Sequence, residues 1–195
     1  MPEDREEMDD DFEDEEIDVD SDNEDMLRRQ QNFRLAVQYV AAALAEIPAV
    51  EKVVLFGSVA KELWEEVPRF RRHRRQGIEI LHECKDVDLA VWVSDLSCLR
   101  DLQKANSRTL VKLNAEKNVG VAHHQVDMFV MEPGTDRYLG RVCKFAACPK
   151  ERRRECRVRG CGATRLLQVH EGFRFEWKAV PANETVVLFD RKVKG

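Results

Sequence analysis

Long apolar segments are absent from this 195-residue sequence, because charged residues interrupt every apolar stretch well before the ~20 residues that a membrane helix needs. We therefore expect no membrane-spanning segment. The chain also lacks a basic start followed by an apolar core, as a secretory signal would have, so the cytoplasm is the expected compartment. Collagen-like and wholly disordered chains are excluded, since 43% of the residues are hydrophobic and fall in periodic runs.

Charge is distributed unevenly along the chain. Residues 1–25 carry 16 acidic side chains against one basic residue, Arg5, whereas residues 26–195 carry 31 basic and 21 acidic side chains. Residues 1–25 contain too few apolar residues to offset the conformational entropy lost on folding, so we expect them to form a disordered acidic tail. The basic remainder suits a protein that handles phosphates. The tail is expected either to fold back on the arginines or to act only as a solubilising segment.

Helical and strand patterns alternate after the tail. Helices are predicted from Met26 to Pro48 and over 58–66 and 95–118. Strands are predicted over 53–56, 86–93 and 123–131, with a C-terminal β-hairpin at 173–177 and 185–189. We therefore expect an α/β (α+β) fold in which helices pack on a small mixed β-sheet. The expected domains are 26–135 and a Cys-rich segment with the hairpin at 136–195.

Two aspartates occupy alternate positions of the second predicted strand. Asp86 and Asp88 project from one face, because side chains of a strand alternate, while Val87 and Leu89 face the core. The two carboxylates would repel each other unless a cation lies between them, and Mg²⁺ prefers such oxygen ligands. A solvated strand edge protected by charge is the alternative interpretation.

Two further features favour a binding site. Gly57 and Ser58 lie between an apolar strand and a predicted helix start, where backbone N–H groups and the helix dipole favour a phosphate. Gly57 allows close approach of the backbone, and the Ser58 hydroxyl is an additional donor. Asp127 is an isolated carboxylate within the third predicted strand.

Three segments together resemble the DNA polymerase β-like nucleotidyltransferase superfamily in its minimal form: Leu55-Phe56-Gly57-Ser58-Val59-Ala60, Asp86-Val87-Asp88-Leu89 and Val126-Asp127-Met128-Phe129. The resemblance covers about residues 30–132. It implies that Gly57 and Ser58 bind the triphosphate of an NTP. It also implies that Asp86 and Asp88 hold two Mg²⁺ ions, and that Asp127, on a neighbouring strand, is the third ligand or the general base.

The resemblance implies an enzyme that transfers a nucleoside monophosphate from an NTP to a hydroxyl acceptor by two-metal catalysis. The acceptor is left open between a protein, a nucleic acid and a small molecule. The alternative is a catalytically silent module of the same fold that binds nucleic acid or a protein partner, since minimal members resemble components of toxin–antitoxin pairs.

Arginines are concentrated in the 28-residue interval between Ser58 and Asp86, namely Arg69, Arg71, Arg72, Arg74 and Arg75, with Phe70 and His73 among them. One interpretation is a clamp for the phosphates of a nucleotide or of a nucleic-acid acceptor, because Arg binds phosphate bidentately. The other is a solvated basic loop or helix end.

Four cysteines cluster near the end of the chain, namely Cys143, Cys148, Cys156 and Cys161. Clustered thiolates on turns are typical of a structural Zn²⁺ site, and the basic residues between them argue against an apolar core. His170 is a substitute for Cys143 if that residue is buried on a helix. Four reduced thiols in a small core are the alternative, and Cys84 and Cys98 are expected to be structural.

Two adjacent histidines begin the third predicted strand. By the period of a strand, His123 shares the face of Asp127, so it is a candidate for contact with the nucleotide or acceptor. A hydrogen-bonded histidine beside the site is the plainer interpretation.

Overall fold

The fold was analysed in a computed structural model, which describes residues 18–65, 71–79, 81–145, 148–152, 156, 161–170 and 172–194. Three α-helices are present there: α1 (Val19–Ala45), α2 (Arg71–Arg75) and α3 (Leu99–Lys117). The strands are β1 (Val50–Phe56), β2 (Val87–Val93), β3 (Val126–Met131), β4 (Tyr138–Val142), β5 (Leu167–Gln168) and β6 (Thr185–Asp190).

The strands form one mixed sheet in the order β5-β4-β3-β2-β1-β6. Strands β2 and β3 are parallel, and every other neighbouring pair is antiparallel. Helix α3 connects the two parallel strands, as a parallel pair requires. The expected α+β class, with helices packed on a small mixed sheet, is confirmed at this level.

The two faces of the sheet bury different side chains. Apolar residues of one face, such as Leu89, Val91 and Met128, join the buried residues of α1 and α3 in the main core. The alternate residues, such as Ala90 and Phe129, form a smaller cluster covered by Phe175 and Trp177. By the period of two, Asp88 and Asp127 belong to this second face, away from the helices.

Helix α1 begins earlier than the sequence predicted. Asp18 caps it by accepting a hydrogen bond from the backbone N–H of Ser21 at 3.1 Å, and the helix runs from Val19 rather than from Met26. Residues 19–25 of the acidic segment are therefore helical, and the expectation of disorder for them is wrong. Asn23 explains this in part, because its side chain bonds the backbone at Glu79 and Leu81. Residues 1–17 of the expected tail lie outside the described residues.

The helix predicted over 58–66 does not form in its described part. Residues 58–65 make turns instead, and their carbonyls accept hydrogen bonds from distant side chains. The Lys61 carbonyl accepts from Gln30 at 2.7 Å and from Arg34 at 3.0 Å. Carbonyls used in this way are withdrawn from the i to i+4 ladder that a helix needs.

The predicted C-terminal hairpin is also wrong. Residues 173–176 are not a strand, and Trp177 starts a short 3₁₀ helix, while β6 pairs with β1. The alternating aromatic residues lie over the sheet face instead: the Phe175 ring centroid is 5.3 Å from that of Phe56, and that of Trp177 is 4.9 Å from Trp92. Burial of these rings accounts for the alternation without strand pairing.

Candidate functional site

Two carboxylates meet on the face of the sheet that the helices leave open. Asp88 of β2 is the register partner of Asp127 of β3, and adjacent strands are about 4.8 Å apart. Asp127 is only 8% exposed and Asp88 is half-buried. The structure thus brings together two of the three predicted carboxylates, which lie 39 positions apart in the sequence.

Asp86 lies immediately before β2 and is exposed. It is close enough for its negative charge to raise the pKa of Asp88. All three predicted carboxylates therefore lie at the same end of the two parallel strands, with Asp86 on the solvent side and Asp127 on the buried side.

Gly57 lies against this carboxylate pair. Its φ is +78°, and a Cβ atom built on it would lie 2.6 Å from Oδ2 of Asp88. A side chain there would clash with the carboxylate, and the left-handed backbone also favours glycine. The turn after β1 can approach Asp88 closely only because this residue has no side chain.

Ser58 follows in the same turn, which three side chains from two other segments of the chain hold in position. Its carbonyl lies 3.0 Å from Nε2 of His82 and accepts from the Cys84 thiol at 3.5 Å. Arg34 of α1 donates to the Val59 carbonyl at 3.1 Å. No helix begins at Ser58, because residues 58–65 form turns, so the prediction that a helix dipole favours a phosphate at this turn is wrong. Only the backbone of the turn and the Ser58 hydroxyl remain as groups for a phosphate.

Two cations that the sequence did not single out complete the site. Lys144 Nζ is 2.7 Å from Oδ1 of Asp127, and Arg141 Nη1 is 3.4 Å from Oδ2. The Arg141 guanidinium also lies over the rings of Phe129 and Phe173, at 4.4 and 4.9 Å from their centroids. Both residues come from β4 or just after it. That strand was not predicted, so the sequence carried no signal that linked them to Asp127.

The pKa of Asp88 is raised from 3.8 to about 6. Burial is the largest cause, followed by the charge of Asp127, while Arg141 and Lys144 lower the pKa and Asp86 raises it. The negative charge of the three carboxylates is thus incompletely compensated at Asp88. A bound cation would stabilise the ionised carboxylate there.

The donor chemistry at this end of the strands fits a hard divalent cation. Mg²⁺ is commonly bound by one or two carboxylates together with phosphates of a substrate, and Asp88 and Asp127 are such a pair. Across the described parts of the chain, no group of three or more His, Cys, Asp or Glu side chains is arranged to hold a metal ion. Substrate oxygens would have to supply further ligands.

The four C-terminal cysteines are close to one another. Cys143 and Cys148 are buried, and Cys156 and Cys161 are half-buried. Burial raises the pKa of Cys143, and Cys161, Cys156 and Cys148 raise it further through their charge. Cys143 follows β4 rather than lying on a helix, so the condition for substituting His170 is not met. All four are described residues, and they are not among any group of side chains arranged to hold a metal ion in the described part of the chain.

The two cysteines expected to be structural are both buried, and each lies in the main core. Cys84 contacts the turn after β1, and Cys98 lies immediately before α3. All six cysteines are free thiols.

The arginine cluster forms the short helix α2, although Arg69 and Phe70 lie outside the described residues. Arg74 donates to the Trp64 carbonyl at 2.9 Å, which ties α2 to the turn region after Ser58. His123 and His124 lie in a 3₁₀ turn that precedes β3. The prediction that His123 shares the face of Asp127 through strand periodicity is therefore wrong, because the strand begins only at Val126.

Comparisons of the chain with protein-family models, with curated proteins and with solved structures gave no match. None of the helices in the described part of the chain is long and apolar enough to cross a membrane. Function therefore has to be inferred from the chemistry of the site.

Proposed function

We propose that the protein is a nucleotidyltransferase of the DNA polymerase β-like type, which moves an NMP group from an NTP to a hydroxyl acceptor. The observation that supports this most is the register pair Asp88–Asp127, with Gly57 packed directly against Asp88. The resemblance implies that a Gly-Ser turn, paired aspartates and a carboxylate on the neighbouring strand act together. The predicted residues are neighbours in the fold although they come from three segments of the chain.

Each residue has a role that follows from its position. Asp86, Asp88 and Asp127 would hold two Mg²⁺ ions, which when bound polarise the α-phosphate and stabilise the pyrophosphate that leaves. Gly57 and Ser58 would bind the triphosphate beside Asp88. The acceptor oxygen forms the new bond to the α-phosphorus while the bond from that phosphorus to the β-phosphate bridging oxygen breaks. Asp127, the most buried carboxylate, would take the hydroxyl proton.

Lys144 and Arg141 would serve the same reaction by charge. Both contact Asp127, and the charge of each opposes the rise in the pKa of Asp88 that burial and the neighbouring carboxylates cause. With a metal ion held by the aspartates, Lys144 and Arg141 would be available to contact phosphate oxygens of the substrate.

A structural zinc site formed by Cys143, Cys148, Cys156 and Cys161 is part of the same proposal. Its support is the clustering of the four cysteines in the sequence, together with the nearness of the other three to Cys143 that their effect on its pKa implies. Bound Zn²⁺ would join the segment after β4 to the segment before β5, and so support the strand that carries Arg141.

A second candidate function has one observation in its favour. Each carboxylate oxygen of Asp127 already has a cationic partner, so this residue is neutralised without metal. A catalytically silent module that binds nucleic acid or a protein partner, as in toxin–antitoxin pairs, would need no metal ion at Asp127, because these ion pairs already balance its charge.

The decisive experiment is to incubate the protein with each α-labelled NTP, Mg²⁺ and cell lysate, and to follow transfer of the label. We expect labelling by the wild type, and a loss of at least 100-fold in Asp88→Asn. The exposed Asp101 on α3 gives a matched control, since Asp101→Asn removes a carboxylate far from the carboxylate pair. If no NTP binds and none labels an acceptor, the silent module is the correct interpretation.

A further inference from the structure

A cleft of about 430 Å³ lies between α3 and the β3–β4 pair, on the side of the sheet that faces the helices. Val126 and Met128 of β3 form its floor, and residues of α3 form one wall. Such a volume is typical of a site for one small ligand or one extended chain. Neither the sequence motifs nor the carboxylate site explains this cleft.

The wall of the cleft is strongly basic. Arg100, Lys104 and Arg108 follow one another at four-residue intervals on α3, so they share one helix face and rise about 6 Å from each to the next. Lys144 adds a fourth positive charge, and no acidic residue is among those that line the cleft. A row of positive charges of this kind fits a ligand with repeated negative charges better than one with a single anion.

The charges at the middle of this row are available to a ligand. Lys104 and Arg108 are exposed, and neither has an ion-pair partner in the described part of the chain. Lys112, the next basic residue on the helix, lies outside the cleft and pairs with Glu116 at 3.8 Å.

The cleft is joined to the carboxylate site by one residue. Lys144 lines the cleft, and its ammonium group contacts both Asp127 and the carbonyl of His124. Asn106 of α3 donates to the His123 carbonyl at 3.2 Å, which fixes the turn before β3 against the helix. A chain bound along α3 would lie on the helix side of the sheet, and Lys144 is the lining residue that connects it to Asp127 on the other face.

We propose that this cleft binds the sugar-phosphate backbone of a single-stranded nucleic acid, whose terminal hydroxyl is the acceptor of the nucleotidyl group. The role of the strand as nucleotidyl acceptor rests on the function proposed above. Its binding is inferred from the charge and shape of the cleft alone. One strand fits the volume better than a duplex does. The lining contains no aromatic ring other than that of His123, so binding is governed by backbone charge and is largely independent of base sequence.

The test is fluorescence anisotropy with a labelled single-stranded oligonucleotide, at several salt concentrations and without NTP. We expect the double variant Lys104→Glu/Arg108→Glu to raise the Kd at least tenfold and to reduce the slope of log K against log salt by about 1.4, since each phosphate contact contributes about 0.7. Lys192→Glu is compared with Lys104→Glu alone as the control for net charge, because each changes the charge by two units and the exposed Lys192 lies beyond β6 at the other edge of the sheet.

Two further arms separate this inference from the proposed function. Asp88→Asn should bind the oligonucleotide as the wild type does while losing label transfer, and the double variant should lose transfer to the oligonucleotide while retaining NTP binding. Unchanged binding in the double variant, a loss in Lys192→Glu equal to that in Lys104→Glu, or tighter binding of the matching duplex would each overturn the cleft proposal. Failure of transfer with intact, cleft-dependent binding would overturn only the enzymatic function.

Discussion

The carboxylate pair predicts that Asp88→Asn stabilises the metal-free protein, and that this gain in stability grows as the pH rises from about 4 to above 6. In the folded state the pKa of Asp88 is about 6 against an ordinary value of 3.8. Because the pKa of Asp88 is higher in the folded state than in the unfolded state, the protonated carboxyl stabilises the fold relative to the ionised one. This stabilisation is fully present below about pH 3.8 and is lost as the pH rises through about 6.

The magnitude follows from the same shift. A difference of about two pKa units corresponds to about 3 kcal/mol by which the ionised Asp88 destabilises the fold at pH 7.5. At pH 4.5 the loss is about 1 kcal/mol, because the folded-state carboxyl is still largely protonated. Asparagine cannot ionise, so the advantage of the variant should grow by about 2 kcal/mol between the two pH values.

The assay is thermal unfolding of both proteins in EDTA at pH 4.5 and pH 7.5. For a domain of this size, the difference in Tm between variant and wild type should increase by about 4–8 °C on going to the higher pH. Comparing two proteins at each pH cancels the titration of groups that they share. Asp101→Asn is the control, because this exposed residue lies on α3 and is not among the groups that shift the pKa of Asp88, so its effect on Tm should change little between the two pH values.

A second arm of the assay adds Mg²⁺ at pH 7.5. Binding to the native state alone should raise the Tm of the wild type, and this rise should be small or absent in Asp88→Asn. An equal Tm difference at both pH values would refute the assignment of buried, uncompensated charge to Asp88. An equal effect of Mg²⁺ on both proteins would refute its role as a metal ligand.

Three further predictions concern other parts of the molecule. Gly57→Ala should destabilise the protein by about 1–2 kcal/mol more than Gly134→Ala in thermal unfolding, because both have a φ near +79° but only Gly57 has Asp88 within 4 Å of the added Cβ; equal losses would show that the contact with Asp88 does not matter. Chelation at neutral pH, followed by elemental analysis, should release about one Zn²⁺ per chain and lower the Tm, and protein purified without zinc would contradict the cysteine site. Deletion of residues 1–17, which keeps the cap at Asp18, should raise affinity for oligonucleotides at low salt, and unchanged affinity would show that the tail does not compete for the basic surfaces.

The sequence predicted the centre of the fold well, because the pattern there is local. The alternation of Val87, Leu89 and Val91 with Asp88 was sufficient to assign the two faces of β2, and the burial of these residues confirms it. The end of α3 was likewise predicted within one residue from its apolar spacing and the stop near Gly120.

The errors occur where distant contacts override local preference. Residues 58–65 have a helical pattern, yet Gln30 and Arg34 from α1 capture their carbonyls. Phe173, Phe175 and Trp177 alternate as a strand would, but their rings pack on the sheet face. Neither contact leaves a signal in the segment itself, because the partner lies far away in sequence.

The same reason explains which site residues were missed. The three aspartates and Gly57 lie in or beside strong strand patterns. Arg141, in contrast, belongs to a short strand with glycine in its middle and no clear alternation, and Lys144 follows that strand. Their link to Asp127 depends on the pairing of β3 with β4, in which Phe129 is opposite Arg141. Only the register of that pair brings the cations to the carboxylate.

The position of β6 at the end of the sheet has a consequence for synthesis on the ribosome. Strand β1 ends at Phe56, but its outer partner β6 begins only at Thr185, 129 residues later. At about 5–20 residues per second, β1 waits roughly 6–26 s with one edge unpaired. Such an edge is a template for wrong pairing between nascent chains. We therefore expect folding to depend on chaperones during translation until β6 pairs with β1.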